Sequence, residues 1–291
     1  MPDMEQTQEE LAVAAVMLVV KAPMDKVIAA YLNRESFQQN SDVIEFQSIQ
    51  SVGKSDSEVE KEFQSIGFTE KESSEVKNFM AFKGGTAFNL SSDEIKQIQE
   101  IDSKDPAVQE KSSRLLRRIL AERYQVYFKQ GLEAVQPYDR GGGKYAFPRR
   151  ELTVAAGSIK LLENHFPDFY QSLLKYPEVS SKEVKSDFFW FKNKMDDRSA
   201  YQLSHYMSST LKNYAIVAEL QFYVGSSYNS MLTIIGCVPY EDGTIVFCTN
   251  RTFTDQVTGF GSSIKRSVGR RRIEDAISEH FAKLRSMLEP K

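Results

Sequence analysis

Tyr214-Ala215-Ile216-Val217-Ala218-Glu219-Leu220-Gln221-Phe222-Tyr223-Val224 alternates with a period of two. Tyr214, Ile216, Ala218, Leu220, Phe222 and Val224 fall on one side, with Glu219 and Gln221 on the other, which reads as a half-buried strand. The same period recurs on either side of this stretch. Asp187 to Asn193 and Tyr201 to Met207 come before it, and Leu232 to Val238 and Gly243 to Phe253 come after, joined through Glu241-Asp242-Gly243. Strands this closely spaced predict an antiparallel meander. Beyond Thr254 the period becomes helical. Phe260, Ile264 and Val268, then Ile273, Ile277, Phe281, Leu284 and Leu288, form one stripe and predict a long amphipathic helix with Gly269 as a candidate bend.

Upstream, Leu11 to Val20 carries apolar residues on both alternating sides, the pattern of a strand covered on both faces. Pro23 stops it and opens a helix through Val27, Ile28, Tyr31 and Leu32, ending near Asn33. Residues 41 to 88 alternate weakly and read as short strands joined by a mobile loop. Ser91-Ser92-Asp93-Glu94 is a capping-box pattern that starts a helix through Ile95 and Ile98. Asp105-Pro106 begins a longer one, whose stripe is Leu116, Leu120, Tyr124, Tyr127 and Phe128 and whose end is Gly131 or Pro137. A third helix runs through Leu152 to Leu162, and a fourth follows Pro167 to Tyr176. The fold class is α+β, with a helical stretch at 91–176 set within the strands.

Composition excludes several functions. With 291 residues, 41% hydrophobic and 26% charged, the chain has enough apolar material for a sizeable core. Thirty-seven Lys and Arg against forty Asp and Glu argue against a dedicated nucleic-acid binder. Two cysteines and three well-separated histidines supply no metal-ligand spacing, and no cofactor-binding motif occurs. The ten-residue apolar run is short of the roughly 20 that cross a bilayer, so no transmembrane segment is expected. Asp3, Glu5, Glu9 and Glu10 precede that run, the reverse of an export signal. The expectation is therefore a cytoplasmic chain, or an exported one if a signal has been removed.

A strand, a helix, a run of antiparallel strands and a closing helix describe a curved sheet gripping that helix. Val19-Val20-Lys21-Ala22-Pro23-Met24-Asp25-Lys26-Val27 resembles the first strand and helix entry of the START-like, or SRPBCC, helix-grip superfamily. Gly259-Phe260-Gly261, Arg271-Arg272-Ile273 and Phe281-Ala282-Lys283-Leu284 resemble its closing helix. The resemblance covers residues 11–35 and 183–291; the stretch 91–176 has no counterpart in the minimal family and is similar to a bacterial group with no function attached. It implies one discontinuous domain, 1–90 plus 177–291, with 91–176 as a helical insertion or cap. It also implies non-catalytic binding of a hydrophobic, lipid-like or aromatic small molecule between sheet and helix. The expected lining is Tyr201, Leu203, His205, Ala218, Leu220, Phe222, Phe247, Arg251, Phe281 and Leu284.

Individual constellations carry further expectations. His205 shares an apolar strand face with Tyr201, Leu203 and Met207, so it is either a satisfied core histidine or, on a second reading, the acid-base group of a cyclase- or hydrolase-like enzyme with Tyr201 beside it. Arg251 is expected inside, paired with nearby Asp255, or else meeting an anionic head group. Gly141-Gly142-Gly143-Lys144 lacks the Ser or Thr of a phosphate loop and reads as a loop between helices. Lys265, Arg266, Arg270, Arg271 and Arg272 read as a solvated face, with peripheral membrane contact as the alternative. A two-residue turn at Asp242-Gly243 would set Cys237 opposite Cys248 but strand Pro239 in a hydrogen-bonded pair, so a longer or bulged turn is expected. A third functional reading is a protein-interaction scaffold on the helices of 91–176.

Overall fold

Hydrogen-bonding strands of β-branched and aromatic residues dominate the fold. A computed structural model of the chain describes residues 10–32, 42–50, 55–195, 198–258 and 261–289. In chain order these form β1 (Glu10–Val20), α1 (Met24–Leu32), β2 (Val43–Ile49), α2 (Asp56–Lys61), α3 (Ser73–Ala81), α4 (Ser92–Gln99) and α5 (Val108–Gln130). Then come β3 (Tyr138–Gly141), β4 (Lys144–Ala146), α6 (Pro148–Gly157), α7 (Lys160–His165) and α8 (Pro167–Lys175). The meander β5 (Val184–Met195), β6 (Arg198–Leu211), β7 (Tyr214–Val224), β8 (Ser230–Tyr240) and β9 (Gly243–Phe253) precedes α9 (Ser262–Leu288).

Seven strands make one antiparallel sheet in the order β1-β9-β8-β7-β6-β5-β2. The first strand of the chain thus pairs with the last, and β2 closes the other edge against β5. All of α2 to α8 lies in sequence between β2 and its neighbour β5. Both faces of the sheet are covered. One carries Phe188, Trp190, Leu203, Met207, Ala218, Leu220 and Ile234 against Phe63, Leu120, Tyr124, Tyr127, Leu152 and Phe169 of the helical stretch. The other carries Phe189, Phe191, Tyr206, Val217, Ile235 and Cys248 against Val27, Ile28 and Tyr31 of α1 and Phe281 and Leu284 of α9. β7 is therefore buried on both faces rather than half-buried.

Three local expectations are corrected. The region after β2 is helical, because Ser55 with Glu58 and Thr69 with Glu72 form capping boxes that satisfy the first-turn amides; residues 51–54 of the expected loop lie outside the described residues. The triple glycine is the turn of the β3–β4 hairpin, with φ of 75, 60 and 75° at Gly141, Gly142 and Gly143, conformations that Cβ-bearing residues disfavour. The β8–β9 turn is a two-residue one, at Glu241-Asp242. That register sets Cys237 opposite Val246 and Cys248 opposite Ile235, and both thiols are free and buried.

β1 is not covered on both faces. A register shift between Ala14 and Val16 inverts its phase, so Leu11 before the shift and Leu18 and Val20 after it all face the α9 side. The apolar residues of two successive phases look like a two-faced strand when read without the bulge. Met17 and Val19 are 66% and 46% exposed, on an edge strand.

The C-terminal helix also differs from its expected stripe. Ile264 and Val268 are 71% and 50% exposed, and Phe260 lies outside the described residues. The inward side of the first half instead holds Arg266, Gly269 and Arg270, continuing into Ile273, Ile277, Phe281 and Leu284. Gly269 is the point of closest approach: a Cβ there would lie 2.6 Å from Leu11 Cδ1, so the missing side chain lets the helix lie on β1. The glycine marks a contact, and α9 runs through it as one helix.

Candidate functional site

The ten residues expected to line one cavity are divided between the two faces of the sheet. Tyr201, Leu203, His205, Ala218, Leu220 and Phe222 face the helical stretch, and their neighbours are the chain's own side chains. Phe222 stacks on Tyr127 at 3.8 Å between ring centroids, and Tyr201 Oη both donates to Gly67 O and accepts from Gly67 N at 3.0 Å. Phe281 and Leu284 lie on the opposite face. Phe247 is on the face of the helical stretch, paired through Gly236 with Ile216; its ring lies over Gly236, where an added Cβ would come within 1.9 Å of Cζ. The alternation identified the drier face, and the closing helix packs on the other.

His205 is sealed. Tyr127 Oη lies 3.0 Å from Nδ1, Ser186 Oγ lies 3.0 Å from Nε2, and Phe188 stacks on the ring at 4.3 Å. Burial pushes its pKa down to about 3, so the imidazole is neutral. Both ring nitrogens are occupied by protein, and Tyr201 is turned to Gly67, so the expected acid-base pair is not assembled. Arg251 is buried as expected, but its partner is Glu10 of β1, with Nη1 also donating to Ala155 O at 3.3 Å. Asp255 is engaged elsewhere, by Arg140 Nε at 2.6 Å. The distant carboxylate wins because β1 lies beside β9 and sets Glu10 diagonally across from Arg251 on the same face.

The other face supplies a cluster that the sequence reading passed over. Register places Tyr206, Glu219, Thr233 and Asn250 directly opposite one another on β6, β7, β8 and β9, a polar row across the middle of the sheet on the α9 side. Around Glu219 the donors are consistently oriented. Asn193 Nδ2 donates to Gln202 Oε1 at 2.7 Å, Gln202 Nε2 to Tyr228 Oη at 2.9 Å, and Tyr228 Oη to Gln221 Oε1. Gln221 Nε2 then donates to Glu219 Oε1 at 2.9 Å, joined by Ser204 Oγ at 3.3 Å and by the Tyr206 hydroxyl. Every donor in the chain points toward the carboxyl. Asn250 Nδ2 donates to Thr233 Oγ1 at 2.8 Å and Asn250 Oδ1 accepts from Thr252 Oγ1 at 2.8 Å, extending the row toward β1.

Burial pushes the Glu219 carboxyl above the usual carboxylate range, and the hydrogen bonds from Gln221, Tyr206 and Ser204 only partly oppose it. The side chain is half-buried, so part of its surface remains accessible. Above it, Tyr31 of α1 packs edge-on to His280 of α9 at 5.4 Å. Three buried polar atoms on this side make no hydrogen bond: Asn193 Oδ1, His280 Nε2 and Arg266 Nε. Burial also holds the His280 imidazole below its ordinary pKa and raises the Cys237 and Cys248 thiols to about 12. The set offers hydrogen-bond donors and acceptors in apolar surroundings, and no activated nucleophile. Among the described residues there is no group of His, Cys, Asp and Glu able to hold a metal ion, and no helix long and apolar enough to cross a membrane.

One signal pointed to this site: a carboxylate and an amide in phase, Glu219 and Gln221, on a strand whose other residues are all aliphatic or aromatic. Comparison with family models, with curated proteins and with solved structures returns no match, so the geometry of this face carries the functional reading.

Proposed function

We propose that the protein binds, without catalysis, a hydrophobic small molecule, lipid-like or aromatic, carrying at least one hydrogen-bonding group, in the space between the sheet and α9. The observation that carries this reading is the enclosed polar row of Tyr206, Glu219, Thr233 and Asn250, with accessible surface at Glu219. A buried polar group that lacks a partner costs roughly 1–3 kcal/mol. Asn193 Oδ1 and His280 Nε2 face this cost on the same side of the sheet, and a ligand hydroxyl, which both donates and accepts, would relieve it. The apolar walls are Phe191, Val217, Ile235, Ile277 and Phe281. A mostly apolar pocket with a few convergent polar groups is the usual form of a small-molecule site.

The reading keeps the helix-grip resemblance and moves the lining to the other phase of the same strands. In it the sheet curves around α9, and the segment between β2 and β5 is an insertion that caps the opposite face. Native mass spectrometry after mild extraction, followed by thermal shifts with fatty acids, fatty alcohols and polycyclic aromatics, tests the function. A retained apolar mass, or stabilisation that Glu219→Leu abolishes, is the expected result. A chain that neither co-purifies with nor is stabilised by any of these ligands refutes the reading.

A further inference from the structure

On the α9 side of the sheet the side chains change character from one end of the strands to the other. Register sets Ala215, Cys237 and Val246 in one row and Val217, Ile235 and Cys248 in the next, and these six pack in one cluster with Phe281 and Leu284 of α9. Two residues further along each strand, on the same side, stands the row of Tyr206, Glu219, Thr233 and Asn250, and beyond it the row of Ser204, Gln221, Met231 and Thr252. The polar half is thus two rows deep across β6 to β9, about 7 Å by about 14 Å from strand rise and spacing.

The chemistry of these two rows is narrow. Among their described residues there is no Lys, Arg or His, and the one carboxyl, Glu219, already accepts from Gln221, Ser204 and Tyr206. Thr233 Oγ1 accepts from Asn250 Nδ2 and keeps its hydroxyl proton, while Thr252 Oγ1 donates to Asn250 Oδ1 and keeps its lone pairs, so donors and acceptors remain side by side. The cations of α9 stand apart. The helix lies along β1, with Gly269 against Leu11 at one end and Glu289 Oε1 accepting from Lys21 N at 2.9 Å at the other. Arg266 and Arg270 therefore belong to the β1 edge, three strands and about 14 Å from β7. Arg270 is already engaged within the chain, and Lys283 pairs with Glu279 at 2.8 Å. A carboxylate only accepts and an ammonium only donates, whereas a hydroxyl does both and matches a mixed surface.

We propose that the molecule held between the sheet and α9 is amphipathic, with an uncharged head bearing several hydroxyls, a sugar or polyol, on the rows of Glu219 and Gln221 and an apolar part against Val217, Ile235 and Phe281. The inference rests on the cavity reading and narrows it, for a polar patch of this size engages more than one hydroxyl. A carboxylate head is the poorer fit, because it would meet the Glu219 oxygens with no cation in reach. An ammonium head is poorer too, since it would meet a carboxyl that three donors already occupy and that burial holds toward its neutral form.

Probes that share one octyl chain separate head from tail: octyl glucoside, octanol, octanoate and octylammonium, each kept below its micelle-forming concentration and titrated calorimetrically into the full chain at neutral pH. Octyl glucoside should bind about 25-fold tighter than octanol, from two further net hydrogen bonds at about fivefold each. Octanoate and octylammonium should bind at least about tenfold more weakly than octanol, since each buries a charge without a free partner. Thr233→Val and Thr252→Val keep the β-branched shape and should each weaken octyl glucoside about fivefold while leaving octanol within about twofold. Circular-dichroism melts establish that both variants are folded. Binding of octanol with octyl glucoside no tighter overturns the head-group inference and leaves the cavity reading standing. So does octanoate or octylammonium binding more tightly than octanol, or a glucoside affinity indifferent to both variants. Binding of none of these probes overturns both readings.

Discussion

Replacing His205 by Gln should flatten the acid limb of the protein's stability curve. The imidazole is fully buried between Tyr127, Ser186 and Phe188, and its pKa falls from 6.5 to about 3. Because the folded state resists protonation, the unfolded state takes up the extra proton as pH drops. Stability from this group is complete above pH 6.5 and is lost progressively between pH 6.5 and about 3. At 1.36 kcal/mol per unit, the full loss across that window is about 5 kcal/mol, and about 2.7 kcal/mol of it has gone by pH 4.5. Glutamine can hydrogen-bond both hydroxyls and does not titrate. Urea denaturation of both proteins at pH 7.5 and pH 4.5 gives four free energies, and the double difference removes every other titrating group. The wild type should lose about 2.7 kcal/mol more than the variant. Parallel losses would refute the sealed-histidine reading and return His205 to solvent, where an acid-base role becomes open again.

Removing Arg251 should be more damaging than removing its pair. Arg251→Met leaves Glu10 charged in the interior and should cost about 3–5 kcal/mol, while Arg251→Met with Glu10→Gln should recover most of it, as read by urea midpoints. Glu219→Gln should gain stability relative to the wild type as pH rises from the unfolded carboxyl range through the raised folded pKa, since only the wild type must then ionise a buried group; a difference that shrinks with rising pH would contradict the assignment. Cys237 and Cys248, with pKa values of about 12, hold about one thiolate in ten thousand at pH 8, so iodoacetamide followed by mass spectrometry should label neither in the native protein and both in urea.

The strands of the meander are legible because a period of two recurs from one to the next, and the second half of the closing helix because Ile273, Ile277, Phe281, Leu284 and Leu288 keep one helical stripe. Which face of a strand meets which layer is not. In β7 the all-apolar phase, Ile216 to Phe222, marks the drier of two buried faces, while Glu219 and Gln221 look like a solvent face because carboxylates and amides normally are. Their burial depends on α9, some 40 residues further along the chain. The partner of Arg251 was invisible for a related reason: proximity in sequence favoured Asp255, whereas strand pairing brings in Glu10. The short helices at Asp56–Lys61 and Ser73–Ala81 bury so few side chains, among them Val59, Val76 and Phe79, that their stripes are too brief to show a period. In β1 one inserted residue mixed two phases, a displacement that composition does not record.

The pairing of the first strand with the last also fixes an order of events during synthesis. β5 to β9 are joined by short turns, so each can zip onto its predecessor as it leaves the ribosome. β1 is made first, but its hydrogen-bonding partner begins at Gly243, about 220 residues later. At 5–20 residues per second that separation is roughly 10–45 s of translation, during which the apolar segment around Leu18 and Val20 has no sheet to join. The N-terminal strand therefore needs protection in the nascent chain, and the finished sheet is closed at the β1 edge only once the last strand has been made.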